Sequence, residues 1–394
     1  MPSSSESQPL EIPGPLEIVD LQAFAVRFPY DEAERATAQP AAKPYKVGGG
    51  RFTIYPTQVE TLMVRLESAD GTVGWGEALV PVGHRAVRGL VEELLTPAVI
   101  GQGAGQLGAL HARLVATMRE RGHVYGHQAD AVTAVDIAVY DLVGRHFGVP
   151  VATLLGGAVS RQLPTYSTSI SGGADNGDHA LGLWEQGWRR FKVHATLGWR
   201  DAVSAFERVR TAVPEAEVAL DVHGTFTVAD AIRAGRVLDQ LDCWFLESAL
   251  DPEDYRGMAQ ISAAISTPVA AGEAIRHRSE VMTAIELGAV RRLQPDIGRT
   301  GLTEGRAIVT LADTVRLPVL PHHSAALGVA MVAGLHVAAA APTLEAFEFS
   351  ERAATLSSVL LTEPLAYEVG TMPLPTGPGL GVEVDEDAVR YWSR

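Results

Sequence analysis

The sequence predicts an α/β protein: a (β/α)8 barrel of TIM type joined to a smaller α+β capping domain. Three observations lead there. Asp221 in VALDVH, Glu247 in WFLES and Glu273 in PVAAGE each close a strand-like run and stand 26 residues apart in both intervals, about one strand, one helix and two loops. Runs of strand character alternate with amphipathic segments eight times: TYSTSI, RFKVHAT, EVALDVH, CWFLES, PVAAGE, RRLQPDI, LPVLPHH and EAFEFS. Finally, 394 residues with 46% apolar content exceed the roughly 250 residues such a barrel needs.

The N-terminal MPSSSESQPLEIPGP has no basic region and no apolar core, so residues 1–15 are expected to be a disordered tail and not a secretory signal. Residues 16–150 form the predicted capping domain. EIVDLQAFAV and QVETLMVRLES read as strands, and Asp70-Gly71 joins the second to TVGWGEA as a hairpin. The segment 29–56, with Gly48, Gly49 and Gly50, is long and lacks an apolar period, which suggests a lid. Helical periodicity runs from about Val87 to Phe147 and stops at Gly148 and Pro150.

Residues 151–355 form the predicted barrel. Its helices have readable starts in Asp251-Pro252, as N-cap and first helical residue, and in Thr227 with Asp230. Ser279 to Gly288 places Val281, Met282 and Ile285 on one face before a glycine stop. Val329 to Pro342 is too short to cross a bilayer and carries His336, so it reads as a buried helix. The Pro- and Gly-rich residues 356–394 are expected to pack back on the capping domain.

A net charge of −15, from 32 basic and 47 acidic residues, argues against nucleic acid or an anionic membrane as partner. An anionic substrate stays compatible, because a bound dication changes the local sign. Cys243 is the only cysteine, which excludes an intrachain disulfide and suits a reducing, cytoplasmic setting. A homo-oligomer is expected, as is common among such barrels.

Barrel active sites lie at the carboxyl ends of the strands, where Asp221, Glu247 and Glu273 all stand. Three acidic oxygens on one rim suit a hard cation, Mg²⁺. The alternative is acidic strand ends that are merely solvated or that cap the next helix.

TVGWGEA, AVDIAVYDLVGRHFGVPVATLLGG, FLESALDPEDY, PVAAGE and LQPDIGRTG occur in this order. With them, from about Glu17 to the C-terminus, the chain resembles the enolase superfamily in its mandelate racemase and muconate lactonizing enzyme branch. The resemblance implies an enolase-type barrel with Mg²⁺ on Asp221, Glu247 and Glu273. It also implies removal of the proton next to a substrate carboxylate, giving a metal-stabilised enediolate.

Other roles are implied in the same way. Glu348 in AFEFS matches the strand-8 acid that donates a hydrogen bond to the enediolate, with a buried structural acid as the alternative. Relatives often carry Lys-x-Lys on strand 2, the first steadying the substrate carboxylate and the second acting as base. Here the pair is Lys192 and His194, on one strand face, and an imidazole with a reference pKa of about 6.5 can serve as base. Asp296 matches the dyad aspartate that orients a strand-7 histidine. LPVLPHH offers His322, favoured by the Pro-His pattern, and His323, favoured by counting back from His336. Only one can face inward, and His322 is preferred.

Three departures stand out. Ser248 and Ala249 replace the usual Glu-Pro, and GRTGLTE is one glycine shorter than the usual loop. His223, in Asp-Val-His-Gly, resembles members that dehydrate galactonate- and mannonate-type acids, galactonate dehydratase among them. There this histidine is acid or base, the alternative being a hydrogen bond to a carboxylate ligand. Those members generally lack the strand-2 lysine, so the chain reads as a hybrid. The expected partner is a small carboxylic acid, first a sugar acid undergoing dehydration. The alternatives are a racemase, epimerase or lactone cycloisomerase using His194 and His322 as opposed bases, and a non-catalytic metal and sugar-acid binding barrel.

Overall fold

A computed structural model describes residues 16–37, 43–48 and 52–394. The expected tail, and Gly49 and Gly50 of the expected lid, lie outside the described residues. The first strands are β1 (Ile18–Phe28), β2 (Tyr45–Val47), β3 (Ile54–Pro56), β4 (Val59–Ser68) and β5 (Val73–Ala78). β1, β4 and β5 form an antiparallel sheet in that order, and β2 and β3 pair as a separate hairpin. At the tip between β4 and β5, Gly71 takes φ 83°, and Asp70 Oδ1 accepts from Ser68 Oγ (2.6 Å) and Thr72 N (3.1 Å).

The helix His127–Phe147 lies against this sheet because Gly74 and Gly76 carry no side chain. A Cβ at Gly76 would sit 2.0 Å from Ala134 O, and one at Gly74 2.4 Å from Ala138 O. The stretch expected to be helical from Val87 to Phe147 is broken. His84–Leu90 runs through a π-helical turn into Thr96–Val99, and separate helices span Leu107–Arg119 and His127–Phe147. Gly101, Gly122 and Gly126, all at positive φ, occupy the breaks.

The parallel strands are β6 (Gln162–Ser171), β7 (Arg190–His194), β8 (Glu217–Asp221), β9 (Leu246–Glu247), β10 (Val269–Ala271), β11 (Arg292–Leu293) and β12 (Phe347–Phe349). Their spatial order is β11-β10-β9-β8-β7-β6-β12. The seventh sequence run, LPVLPHH, forms no continuous ladder, since Pro318 and Pro321 offer no N–H. Val319 still bridges Leu293 on one side and Leu344 on the other, so the pairing passes from β11 back to the β12 edge.

The C-terminal residues touch both parts. β13 (Thr371–Pro373) pairs antiparallel with β6. Leu380 N donates to buried Asp141 Oδ1, and Arg390 reaches Gln22 Oε1 on β1 at 2.8 Å.

Two local expectations need correction. The helix after β9 is capped by Asp254, whose side chain accepts from Gly257 N at 2.8 Å. Asp251-Pro252 instead opens the preceding turn, closed by Asp254 N to Asp251 O, with Pro252 at the turn position its ring favours. In Arg278–Leu287, Val281 and Ala284 are buried but Met282 is exposed. Thr227 does cap its helix, accepting from Asp230 N. The helix Gly328–Ala339 is buried throughout. Its His336 joins Ala152 N and Leu380 O, and burial holds its pKa down to about 4. Among the described residues no helix is long and apolar enough to cross a membrane.

Candidate active site

Strand register brings the acidic ends together. His194 stands beside Asp221, and Asp221 beside Glu247, in consecutive parallel pairs. Glu273 follows Gly272, where φ is 146° and a Cβ would lie 2.8 Å from the Gln294 backbone, so glycine is required for β10 to leave the rim this close to its neighbour.

Lys192, two residues before His194 on the same face, is completely buried. Its Nζ lies 2.7 Å from Glu247 Oε1, 2.7 Å from Glu348 Oε1 and 3.8 Å from Asp221 Oδ2. Gln294 Nε2 donates to Glu247 Oε2 (2.6 Å), and Tyr166 OH to Glu348 Oε2 (3.1 Å). Three carboxylates thus surround one ammonium. Burial opposes the charge on Lys192, but Glu247 and Glu348 outweigh it and keep it protonated. Burial, against the pull of Lys192, pushes Glu247 up to about 7. Asp221 stays ionised: burial raises its pKa, but His194 and Lys192 bring it to about 2.

His194 and His223 flank Asp221. His194 Nδ1 is 2.9 Å from Asp221 Oδ2 and its Nε2 is 2.7 Å from Thr168 Oγ1. His223 N donates to Asp221 Oδ1 at 3.0 Å, and its Nδ1 is 3.4 Å from the same oxygen. His223 takes φ 47° and Ser248 φ 45°, a left-handed conformation that costs a side-chain-bearing residue of order 1 kcal/mol or more. Both strained residues lie at the rim.

Across the rim, His322 Nδ1 meets Asp296 Oδ2 at 2.6 Å and its Nε2 lies 3.1 Å from Glu273 Oε2. Burial disfavours its charge, but Glu348, Asp296 and Glu273 outweigh that and hold it protonated. Neighbouring His323 points elsewhere and stacks on Phe347, and burial keeps it neutral with a pKa of about 4. Of the two histidines, His322 is the one that contacts Asp296.

Potential ligand atoms gather within 4.8 Å in two groups, His194 with Asp221 and His223, and Glu247 with His322 and Glu348. Glu273 belongs to neither and contacts His322 and Ser248 Oγ. The donor set suits a hard dication. Carboxylate oxygens exceed the buried cations around Lys192, and the buried Asp221 Oδ2 has no hydrogen bond among the described residues.

Sequence reasoning passed over Tyr166, Thr168 and Gln294. All three lie in motifs already singled out. Period two places Tyr166 and Thr168 on one face of β6, and Gln294 on the face of Asp296.

Beside Glu273, His223 and Ser248 opens a cavity of about 460 Å³, bounded outside by Thr53 and Tyr55 next to and within β3 and by Leu250 and Tyr255.

The family described as "Enolase C-terminal domain-like" matches residues 176–388. The N-terminal domain family of mandelate racemase and muconate lactonizing enzyme matches residues 36–156. The chain is 30% identical over 344 residues to the D-galactarolactone cycloisomerase of Agrobacterium fabrum, covering 83% of this chain and 90% of that protein. It is 29% identical over 352 residues to the D-xylonate dehydratase of Haloferax volcanii, covering 83% and 84%. A crystal structure of an enolase superfamily member from Agrobacterium tumefaciens superposes with a TM-score of 0.87 at 29% identity, over 95% of this chain and 98% of that one.

Proposed function

From the premise that the chain belongs to the enolase superfamily, in its mandelate racemase and muconate lactonizing enzyme branch, we propose that it dehydrates a sugar acid. It is an enzyme of that superfamily, a lyase or an isomerase. The observation that carries the proposal is a third imidazole at the rim: besides His194 on Asp221 and the Asp296–His322 pair, His223 stands with Nδ1 3.4 Å from Asp221 Oδ1.

Asp221, Glu247 and Glu273 would hold Mg²⁺, in keeping with the excess of carboxylate oxygens. Bound there, Mg²⁺ supplies fixed positive charge where the substrate carboxylate gains negative charge. Lys192 helps orient that carboxylate. His194 takes the α-proton at Nε2, so Thr168 Oγ1 must yield that nitrogen to the substrate. Glu348, once protonated, donates a hydrogen bond to the enediolate. The electron pair of the broken C–H bond becomes the new C=C bond, and the β-hydroxyl leaves as water with a proton from His322 Nε2. The resulting enol then becomes a 2-keto acid. Asp296 positions His322, and His223, whose ring lies 5.4 Å from that of His194, is a second proton donor for a hydroxyl that departs on that side. Each proton transfer is worth roughly 10²–10⁴-fold in rate.

His194 and His322 taken alone favour a second reading, a racemase, epimerase or cycloisomerase, in which both act as bases. Residues 16–150 with 356–394 serve as the cap, 151–355 as the barrel, and Tyr55 in the hairpin β2–β3 contacts the substrate in the cavity. A cytoplasmic homo-oligomer acting on a small carboxylic acid completes the reading.

Incubating the protein with a panel of sugar acids in D₂O separates the possibilities. Water loss with keto-acid formation supports dehydration. Deuterium uptake without water loss indicates racemisation or epimerisation, and lactone opening or closure indicates a cycloisomerase. Binding with neither exchange nor product would overturn the catalytic reading.

A further inference from the structure

The carboxylate rim carries a feature that Mg²⁺ does not need. Asp221 has an imidazole on each oxygen, His194 Nδ1 at 2.9 Å from Oδ2 and His223 Nδ1 at 3.4 Å from Oδ1, and the three residues place ligand atoms within 4.8 Å of one another. In a tetrahedral site with metal–nitrogen bonds of about 2.0–2.1 Å, neighbouring ligand atoms stand about 3.3 Å apart. Each imidazole stands at about that separation from one Asp221 oxygen, His194 from Oδ2 and His223 from Oδ1, and with a single Asp221 oxygen as ligand all three ligand atoms still lie within 4.8 Å of one another.

The hydrogen bonding points the same way. Although His194 Nδ1 approaches so closely, Asp221 Oδ2 is buried and accepts no hydrogen bond among the described residues, so the ring N–H direction misses it. Thr168 Oγ1, 2.7 Å from Nε2, can accept the ring proton there. That leaves the Nδ1 lone pair beside a carboxylate oxygen, an arrangement that a shared cation resolves. A polar partner on the far nitrogen is also what metal-bound histidines use to fix their tautomer.

The backbone is built to suit. His223 is held at φ 47°, and it lines the 460 Å³ cavity. A fourth coordination position can therefore face solvent or ligand, as in open metal sites.

We propose that His194, Asp221 and His223 form a nitrogen-rich site for a transition-metal dication of the Zn²⁺ class, distinct in chemistry from the Mg²⁺ position. Two imidazoles and one carboxylate favour Zn²⁺ strongly over Mg²⁺, which prefers oxygen and water ligands. The inference rests on the functional reading above only in taking Asp221 as a metal ligand. An ion on His194 Nδ1 fixes the ring proton on Nε2, the nitrogen assigned to take the α-proton, so Zn²⁺ bound there inhibits the turnover that Mg²⁺ supports.

The test is Zn²⁺ binding by equilibrium dialysis in excess Mg²⁺, with metal analysis, on the full-length protein, the His194→Ala/His223→Ala double variant and Glu273→Gln. The intact protein is expected to retain about one Zn²⁺ per chain, the double variant to bind it roughly 100-fold or more weakly, and Glu273→Gln to keep Zn²⁺ while losing Mg²⁺. Equal Zn²⁺ binding by the intact protein and a folded double variant overturns the proposal. Co²⁺ gives a readout that needs no variant: strong visible absorption of a low-coordinate site with nitrogen ligands supports the triad, and the weak spectrum of an all-oxygen octahedral site overturns it. Failure of Mg²⁺ binding with the Zn²⁺ result intact would count against the functional reading and not against this site.

Discussion

Replacing Lys192 by Met tests how the buried carboxylates are held. Methionine is similar in length and apolar, so it removes the ammonium from its places 2.7 Å from Glu247 and 2.7 Å from Glu348 while leaving little void. Removing one partner of a buried ion pair costs about 3–5 kcal/mol, because the other charge is left uncompensated. Here the loss is tempered by proton uptake. Burial already pushes Glu247 up to about 7 with Lys192 present, and without the ammonium it rises further. A folded-state pKa raised above the unfolded value means that stability is present at low pH and is lost as pH rises through the folded pKa. Near about pH 6 Glu247 is already protonated in both proteins, so the cost there comes from Glu348, whose carboxyl burial pushes up but Lys192 holds below its usual range. Up to about pH 7 Glu247 titrates alike in both proteins, and above it the variant alone keeps losing about 1.4 kcal/mol per pH unit, about 2.7 kcal/mol by about pH 9, until its own higher pKa is passed. Urea unfolding of both proteins, followed by circular dichroism across this range, measures the difference. A variant within about 1 kcal/mol of wild type throughout, with no added pH slope, would refute the view that Lys192 neutralises the cluster.

His111 links two parts of the molecule, with Nδ1 3.0 Å from Asp136 Oδ1 and Nε2 3.4 Å from Glu304 Oε1. Burial lowers its pKa, but Asp136 and Glu304 prevail and raise it to about 9. Its contribution is thus full below about pH 6.5 and fades as pH rises through about 9. His111→Gln should remove up to about 3 kcal/mol of that pH dependence, read from unfolding curves. Gly301 has φ 74° inside the helix Ile297–Thr314, and a Cβ there would lie 2.7 Å from Asp136 Oδ2. Gly301→Ala should cost about 1–3 kcal/mol, measured by the same unfolding, and a neutral result would contradict the observed kink. His322→Asn should lower product formation by roughly 10²–10⁴-fold while α-proton exchange in D₂O persists, as followed by NMR. Loss of both would move the base from His194 to the His322 side.

The equal spacing of Asp221, Glu247 and Glu273 was legible because βα units repeat in length, and it located the rim. Period two on β7 likewise made Lys192 and His194 readable as a pair. The direction of each side chain was not readable, because it depends on partners distant in sequence. Glu348 on β12 meets Lys192 on β7 across the intervening β6, a strand order that local sequence does not state, and Glu273 contacts His322 rather than completing a tight trio. Whether His322 or His323 would meet Asp296 was open for the same reason, since adjacent strand residues differ only in which face the register selects. Asp254 displaced Asp251 as cap because Pro252 initiates a turn as readily as a helix, and local sequence alone does not choose between them.

The central claim is metal-dependent removal of an α-proton at the carboxylate rim. Its most direct test is ¹H NMR of α-proton exchange in D₂O, with sugar acids that the enzyme accepts, before and after thorough EDTA treatment and again after Mg²⁺ is restored. Exchange should disappear with EDTA and return with Mg²⁺, and should not return in Asp221→Asn or Glu247→Gln. Undiminished exchange in the EDTA-treated protein would contradict it.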